Sequence, residues 1–189
     1  MPDENQQTTK KPGGWSAARQ HLTTWNKPAL LALVKDLYEA AAVNRDFIQA
    51  RCQADENGGE ALEKYRRKIV EQFFPACGFG KLKLSEARKA IRDYRKATGN
   101  VAGTAELLMT YVENGAQFTR EYGDIDERFY SSVESALDDL AALLRGEARE
   151  LYPQFSDRLA AVEQMTAGIG WGFHDFISDV VGQLEDAEE

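Results

Sequence analysis

The sequence predicts an all-α protein, an irregular bundle of about seven or eight helices, with a solenoid as the alternative. Apolar residues recur at spacings of three and four along most of the chain, as they do on one face of a helix. No stretch alternates apolar and polar residues between turn signals, which a half-buried strand would require. No repeat of about 34 or 40 residues with its signature is visible, which favours a bundle over a solenoid.

Composition predicts one folded domain behind a polar tail. The chain has 189 residues, of which 43 % are apolar and 29 % charged, and this is ordinary for a single soluble domain. Residues 1–25 lack apolar periodicity and predict a flexible tail, and residues 26–186 predict the domain. Trp15 and Trp25 are exceptions in the tail, and we expect them to pack on the domain.

Helix start and stop signals divide the first half of the domain into four helices. Asparagine and serine favour the residue before a helix, whereas glycine and proline favour its ends. An apolar stripe with Leu30, Leu31 and Val34 marks the first helix, and one with Tyr65 and Phe73 marks the third. The boundary residues of the four helices are, in chain order, Asn26, Pro28, Asn44, Gly58, Gly59, Pro75, Ser85 and Gly99.

The second half continues in the same way. Asn100 starts a helix in which Gly115 predicts a break, a kink or a close helix contact. Asp124 and Glu127 have the spacing of a capping box, with Asp in place of Ser or Thr. The remaining boundaries are expected at Gly146, Pro153, Gly168, Gly170 and Gly172.

Several classes of protein are disfavoured by composition. The net charge of −8 opposes a protein that coats nucleic acid with its whole surface. No apolar stretch approaches the roughly 20 residues of a membrane span, and no signal or transit pattern is visible, so we expect a cytoplasmic protein without membrane association. Cys52 and Cys77 have no zinc-site spacing and are expected to be buried.

Charge is distributed very unevenly along the chain. Eleven Lys and Arg residues stand against three acids between Lys64 and Lys96, giving a net charge of +8. Five Arg residues stand against nineteen acids from Ala97 to Glu189, giving a net charge of −14. Because opposite charges attract within about 8 Å at physiological salt, the two parts predict either charged partners or pairing with each other.

The fourth predicted helix carries the main candidate site. At 100° per residue, Arg88, Arg92 and Arg95 form a basic strip beside the apolar stripe. Lys81 and Lys83 precede the strip, near the helix N-terminus, where backbone N–H groups favour anions. These five cations predict a surface that binds an acidic protein or phosphates. The alternative is a solvated face paired with the acids of the same chain.

The segment GIGWGFHD carries a second, weaker candidate. Trp171, His174 and Asp175 would form a pocket suited to acid or base chemistry if they converged. A lone histidine near a helix start is more often structural. The three glycines have the spacing GxGxG and follow a helix, so they do not predict dinucleotide binding.

No cofactor and no metal site is predicted. Asp124, Asp126 and Glu127 cluster, but the rest of a calcium loop is absent and no helix carries Glu-x-x-His. Helix capping explains these acids better than a metal does. His21 lies in the predicted tail and completes no set of ligands.

Several segments resemble a small bacterial family of uncharacterised all-helical domains. They are KPALLALVKDLYEAAAVNRDF from Lys27, FGKLKLSEARKAIRDYRKATG from Phe79, TYVENG from Thr110, YGDIDERFY from Tyr122 and GIGWGFHD from Gly168. The resemblance covers residues 26–184. It implies the limits of the domain and no reaction.

The expected function is therefore that of a non-enzymatic interaction domain. Its basic helix face would bind a protein partner or a second copy of the chain. The alternative is a nucleic-acid-binding module that uses the strip from Lys81 to Lys96 on phosphates.

Overall fold

The computed structural model describes residues 14–53 and 58–187, and the regular secondary structure within these ranges is all helical, with no strand. The predicted fold class is confirmed, with nine α-helices in the described residues. The helices are α1 (Trp15–Leu22), α2 (Lys27–Ala40), α3 (Ala42–Gln53), α4 (Gly58–Phe73), α5 (Leu84–Thr98), α6 (Val101–Tyr122), α7 (Glu127–Arg145), α8 (Tyr152–Thr166) and α9 (Phe173–Asp186). A short 3₁₀ turn, Arg149–Leu151, precedes α8. The helix absent from the sequence prediction is α1, which lies within the predicted tail.

Contacts divide the chain into two units, residues 1–45 and 46–189, and the boundary falls inside the range predicted as one domain. In the first unit, Asn26 caps α2 as predicted, since its side chain accepts a hydrogen bond from the Ala29 N–H at 2.9 Å. None of the described residues 14–45 is buried. Trp15 is 71 % exposed and Leu31 is 58 % exposed. The tail residues 1–13 lie outside the described part.

The second unit is built around α6. Helix α6 packs against α4, α5, α7 and α8, whereas α9 packs against α7 and α8. Residues on every side of α6 are buried, which is typical of a central helix. Its start is also as predicted, because the Asn100 side chain accepts a hydrogen bond from the Gly103 N–H at 2.8 Å.

Gly115 makes a close helix contact, one of the three roles that the sequence left open. The position where a Cβ would stand is 2.6 Å from Val133 Cγ2 on α7. Only glycine lets the two helices approach this closely without displacing the valine.

Three helix connections lie at the same end of the second unit, which we call the loop end: residues 74–83, 123–126 and 167–172. Packing of α4 on α5, α6 on α7 and α8 on α9 makes each pair a helical hairpin. The Phe79 and Tyr122 rings are 4.8 Å apart, and Trp171 Nε1 donates a hydrogen bond to Asp124 Oδ2 at 2.6 Å. Tyr122 is the last residue of α6, so these two contacts connect the first and third loops to residues at or beside the second.

The predictions for Cys52, Cys77 and Ser85 are wrong. Cys52, in the last turn of α3, and Cys77, in the α4–α5 loop, are both exposed. Cysteine is usually buried, but Cys52 lies near a helix end and Cys77 lies in a loop, and the residue type alone does not predict burial at such positions. Ser85 does not cap α5, which begins one residue earlier, at Leu84. The main-chain N–H of Leu82, just before α5, donates to the Gln72 carbonyl near the end of α4 at 2.9 Å. This hydrogen bond helps to fix where α5 begins.

Candidate functional site

Three of the five predicted cations line one groove, which we call the α5–α7 groove. Its volume is about 520 Å³. Helices α5 and α7 form its two walls, and α6 contributes its floor. The lining residues are Arg88, Ile91, Arg92, Arg95, Thr104, Leu108, Asp139, Ala142, Leu143 and Glu147.

Two ion pairs cross the groove. Arg88 of α5 donates from Nη2 to the Asp139 carboxylate of α7. Arg95, two turns further along α5, pairs with Glu147, just after α7. Both acids belong to the acidic half of the chain, so the intramolecular pairing that the sequence offered as an alternative exists for these two arginines. We call these pairs the two rungs of the groove.

Arg92 lies between the rungs and differs from both neighbours. It is exposed and makes no hydrogen bond or ion pair with the described part of the chain. Spacings of four and three residues place it on the same face of α5 as Arg88 and Arg95. Arg88 also keeps one unsatisfied donor, because its buried Nη1 has no hydrogen-bond partner. The groove therefore contains guanidinium groups that its own acids do not saturate.

Lys81 and Lys83 do not belong to this groove. Lys83 precedes α5 and pairs with Glu86 at 2.9 Å, and it lines a different depression, formed with Ile125 and Arg128 near the start of α7. From Lys83 to Arg95 the helix rises about 18 Å, at about 1.5 Å per residue. Three of the five cations predicted as one surface thus share the groove, and Lys81 and Lys83 lie outside it.

Most of the basic block is neutralised within the chain. Seven of its eleven cations form ion pairs: Lys64, Arg66, Lys68, Lys83, Arg88, Lys89 and Arg95. In the described part of the chain the other four form none: Arg67, Lys81, Arg92 and Lys96. Asp46 shows how strong such pairing can be, since burial acts to raise its pKa but Lys64 and Lys68 outweigh burial and lower it. Four of the eleven cations of the block therefore remain without an ion pair in the described structure.

The three residues of the second predicted site contact different neighbours. Trp171, 69 % exposed, binds Asp124 through its indole N–H. His174 Nδ1 lies 3.2 Å from the Thr166 hydroxyl, whereas Asp175 is exposed in the first turn of α9. No hydrogen bond, ion pair or ring contact joins any two of the three side chains in the described structure.

Asp124 has a role that the sequence analysis missed. It was predicted to cap α7, but Asp126 is the cap, since its carboxylate accepts from the Phe129 N–H at 2.8 Å. Asp124 instead accepts hydrogen bonds from the Tyr130 hydroxyl and from Trp171 Nε1, each at 2.6 Å. These two donors lower the pKa of the Asp124 carboxyl, against a smaller opposing effect of burial.

This arrangement predicts a pH-dependent effect of Asp124→Asn. Because the folded-state pKa is lowered, the carboxylate stabilises the protein above its unfolded pKa of about 3.9, and this contribution disappears as pH falls through the folded-state pKa. We expect Asp124→Asn to lower the melting temperature at pH 7 and to have progressively less effect as the pH falls below the unfolded pKa. Thermal melts across this pH range measure the difference. Asp126→Asn, which can still cap, is the control, and a penalty for Asp124→Asn that persists at low pH would contradict the role given to its charge.

The described residues contain neither a cluster of metal ligands nor a membrane-spanning helix. Within residues 14–53 and 58–187, no three His, Cys, Asp or Glu side chains gather in a group that could hold a metal ion. In the same ranges, no helix is long and apolar enough to span a membrane.

The comparisons with known proteins add no function. No protein-family model matches the chain, and no curated protein and no solved structure is significantly similar to it. The resemblance to a bacterial helical family therefore stays a prediction.

Proposed function

We propose that this protein is a non-enzymatic cytoplasmic interaction domain that binds a segment of a partner protein in the α5–α7 groove. The observation that carries the proposal is Arg92, an unpaired cation between two ion pairs in a groove with an apolar floor. A partner carboxylate would meet Arg92, and an apolar partner side chain would contact the floor. Two exposed, unpaired cysteines suit the reducing cytoplasm.

The charges of the groove favour protein over nucleic acid. Nucleic-acid binding is driven by many cations that neutralise successive phosphates. In the groove, Asp139 and Glu147 already neutralise two of the three arginines and would themselves repel a phosphate backbone. Lys83 is paired as well. Too few cations remain in a row to follow a chain of phosphates.

The apolar floor supports the same conclusion. Ile91, Leu108 and Leu143 are the apolar lining residues that form this floor, and they retain 4 %, 3 % and 6 % exposure. Protein interfaces combine such an apolar centre with a polar rim, and arginine is enriched in them. A groove between helices of this kind can accept an amphipathic segment.

Arg92→Glu is expected to abolish this binding without unfolding the protein. Short random peptides displayed on phage and selected on the full-length chain provide the probe, and we expect the selected peptides to share an acid next to an apolar residue. Charge reversal should weaken the binding of such a peptide at least about tenfold, because it replaces attraction by repulsion. Exposed substitutions usually cost less than about 0.5 kcal/mol of stability, which a thermal melt can verify.

Arg67→Glu is the matched control. Arg67 is exposed on α4, has no ion pair in the described structure and does not line the groove. The same change of charge there should leave peptide binding intact. A selection that yields only peptides insensitive to Arg92→Glu would overturn the proposal. Salt-sensitive binding of RNA or DNA that is lost in Arg92→Glu would replace it with the nucleic-acid reading, and Arg92-dependent dimers would identify a second copy as the partner.

A further inference from the structure

We infer that the α5–α7 groove is specific for one carboxylate side chain, which enters between the two rungs and completes a ladder of three ion pairs. This inference rests on the proposed function and adds the chemistry of the ligand. The charges on the two walls of the groove match at the levels of Arg88 and Arg95 and differ at the level of Arg92.

The wall formed by α5 has three cations, whereas the opposite wall has two acids. Arg88 faces Asp139 and Arg95 faces Glu147, so α5 and α7 run in the same direction along the groove. Residues 140–146, which separate the two acids, contain no Asp or Glu. Arg92 consequently has no counterpart, and one acid is missing from an otherwise regular series.

The position opposite Arg92 is open. Arg92 follows Arg88 by four residues on α5. The residue that follows Asp139 by four residues on α7 is Leu143, which therefore lies at the level of Arg92. Leu143 is directed into the core, but its neighbour Ala142 is exposed and lines the groove. The small side chain of Ala142 leaves space at this level for a side chain that comes from a partner.

Neighbouring charges select a carboxylate over a phosphate. Levels three or four residues apart along α5 are separated by about 4.5–6 Å along the helix axis. A ligand at Arg92 would therefore have an acid of each rung close by. A carboxylate carries one negative charge, whereas a phosphate ester carries nearly two at neutral pH and would meet more repulsion from Asp139 and Glu147. The apolar floor beside it favours a ligand in which the acid is adjacent to an apolar residue.

The missing acid can be supplied from within the chain. We expect Ala142→Glu to form an ion pair with Arg92 and to raise the melting temperature by about 1–3 °C relative to Ala142→Gln, since an exposed pair contributes little. The glutamine variant has almost the same size and helix propensity, so the comparison isolates the charge. In an Arg92→Gln background the difference should vanish.

The same variants test the ligand. With a selected acidic peptide as the probe, Ala142→Glu should weaken binding about tenfold or more, because the internal carboxylate occupies the place of the ligand, whereas Ala142→Gln should retain most of the affinity. Replacing the acid of the peptide by Gln or by phosphoserine should weaken binding to the wild type. Each of these results would support one carboxylate per groove.

The outcomes separate this inference from the proposed function. If Arg92→Glu abolishes peptide binding but Ala142→Glu does not, the groove binds a partner and the ladder is wrong. If phosphoserine binds more tightly than Glu, the preference for a carboxylate is wrong. If Arg92→Glu has no effect on binding, the proposed function itself is wrong.

Discussion

Gly115→Ala is expected to destabilise the wild-type protein and to stabilise a Val133→Ala variant. In the wild type, the new methyl group would stand 2.6 Å from Val133 Cγ2, and overpacking of this kind costs about 1–3 kcal/mol. Replacing glycine by alanine inside a helix contributes about 1 kcal/mol in the opposite direction. The clash prevails in the wild type. When Val133 is shortened to alanine, the nearest remaining atom is its Cβ at 3.5 Å, an ordinary contact, and the helix preference prevails.

Urea unfolding of the four proteins in this cycle measures the change of sign. Gly182→Ala is the control, because Gly182 lies in α9 and has no atom within 4 Å of the position of a Cβ. That substitution should stabilise both backgrounds to a similar degree. If Gly115→Ala destabilised the Val133→Ala variant as much as the wild type, the close approach of α6 and α7 would not be the reason for this glycine.

Arg158→Lys is expected to lose most of the stabilisation that Arg158 provides. Arg158 of α8 donates to both carboxylate oxygens of Glu113, at 2.7 Å each, and to Glu106 at 2.6 Å. Arg66 of α4 binds the other oxygen of Glu106, so the network joins α4, α6 and α8. A planar guanidinium can bind both acids at once, whereas an ammonium cannot reproduce this fork.

Hydrogen bonds to charged groups contribute about 1.5–3 kcal/mol when buried, and Arg158 is about one-third exposed. We therefore expect Arg158→Lys and Arg158→Gln to cost about 1–2 kcal/mol in urea unfolding. Arg120→Gln is the control, since Arg120 is exposed on α6 and makes no ion pair in the described structure. A lysine variant as stable as the wild type would show that only the charge of Arg158 matters.

Local features of the fold could be predicted from the sequence because their causes are local. Asn26 and Asn100 cap helices through hydrogen bonds to a residue three positions later. Gly99 ends α5 in the left-handed conformation, with φ at 67°, and Pro153 lies in the first turn of α8. In each case the decisive contact lies within one turn of the residue.

Predictions failed where the decisive partner is distant in sequence. Asp124 has the spacing of a cap, but Trp171, 47 residues away, binds its carboxylate. The periodicity of α2 correctly indicated a helix with an apolar face, yet it could not show that Leu31 and Leu37 stay exposed. Periodicity identifies the apolar face of a helix, but it does not show whether another part of the protein packs against that face.

Only the basic wall of the candidate site could be predicted from the sequence. The arginines of α5 are close together in the chain, and their spacing shows that they share a face. Their acidic neighbours Asp139 and Glu147 are about 50 residues away, and only the packing of α5, α6 and α7 around one groove identifies them. The signal that could have indicated them is the spacing of eight residues between Asp139 and Glu147, which is close to the spacing of seven between Arg88 and Arg95.

The most direct test of the proposed site is an NMR titration of the arginine side chains in the full-length protein. The Nε–Hε signals of Arg92 should shift and saturate as a selected acidic peptide is added, with smaller changes at Arg88 and Arg95 and none at Arg67. That result would place a carboxylate between the two rungs. Saturable binding that leaves Arg92 unchanged and shifts Trp171 or other residues of the loop end would contradict the account.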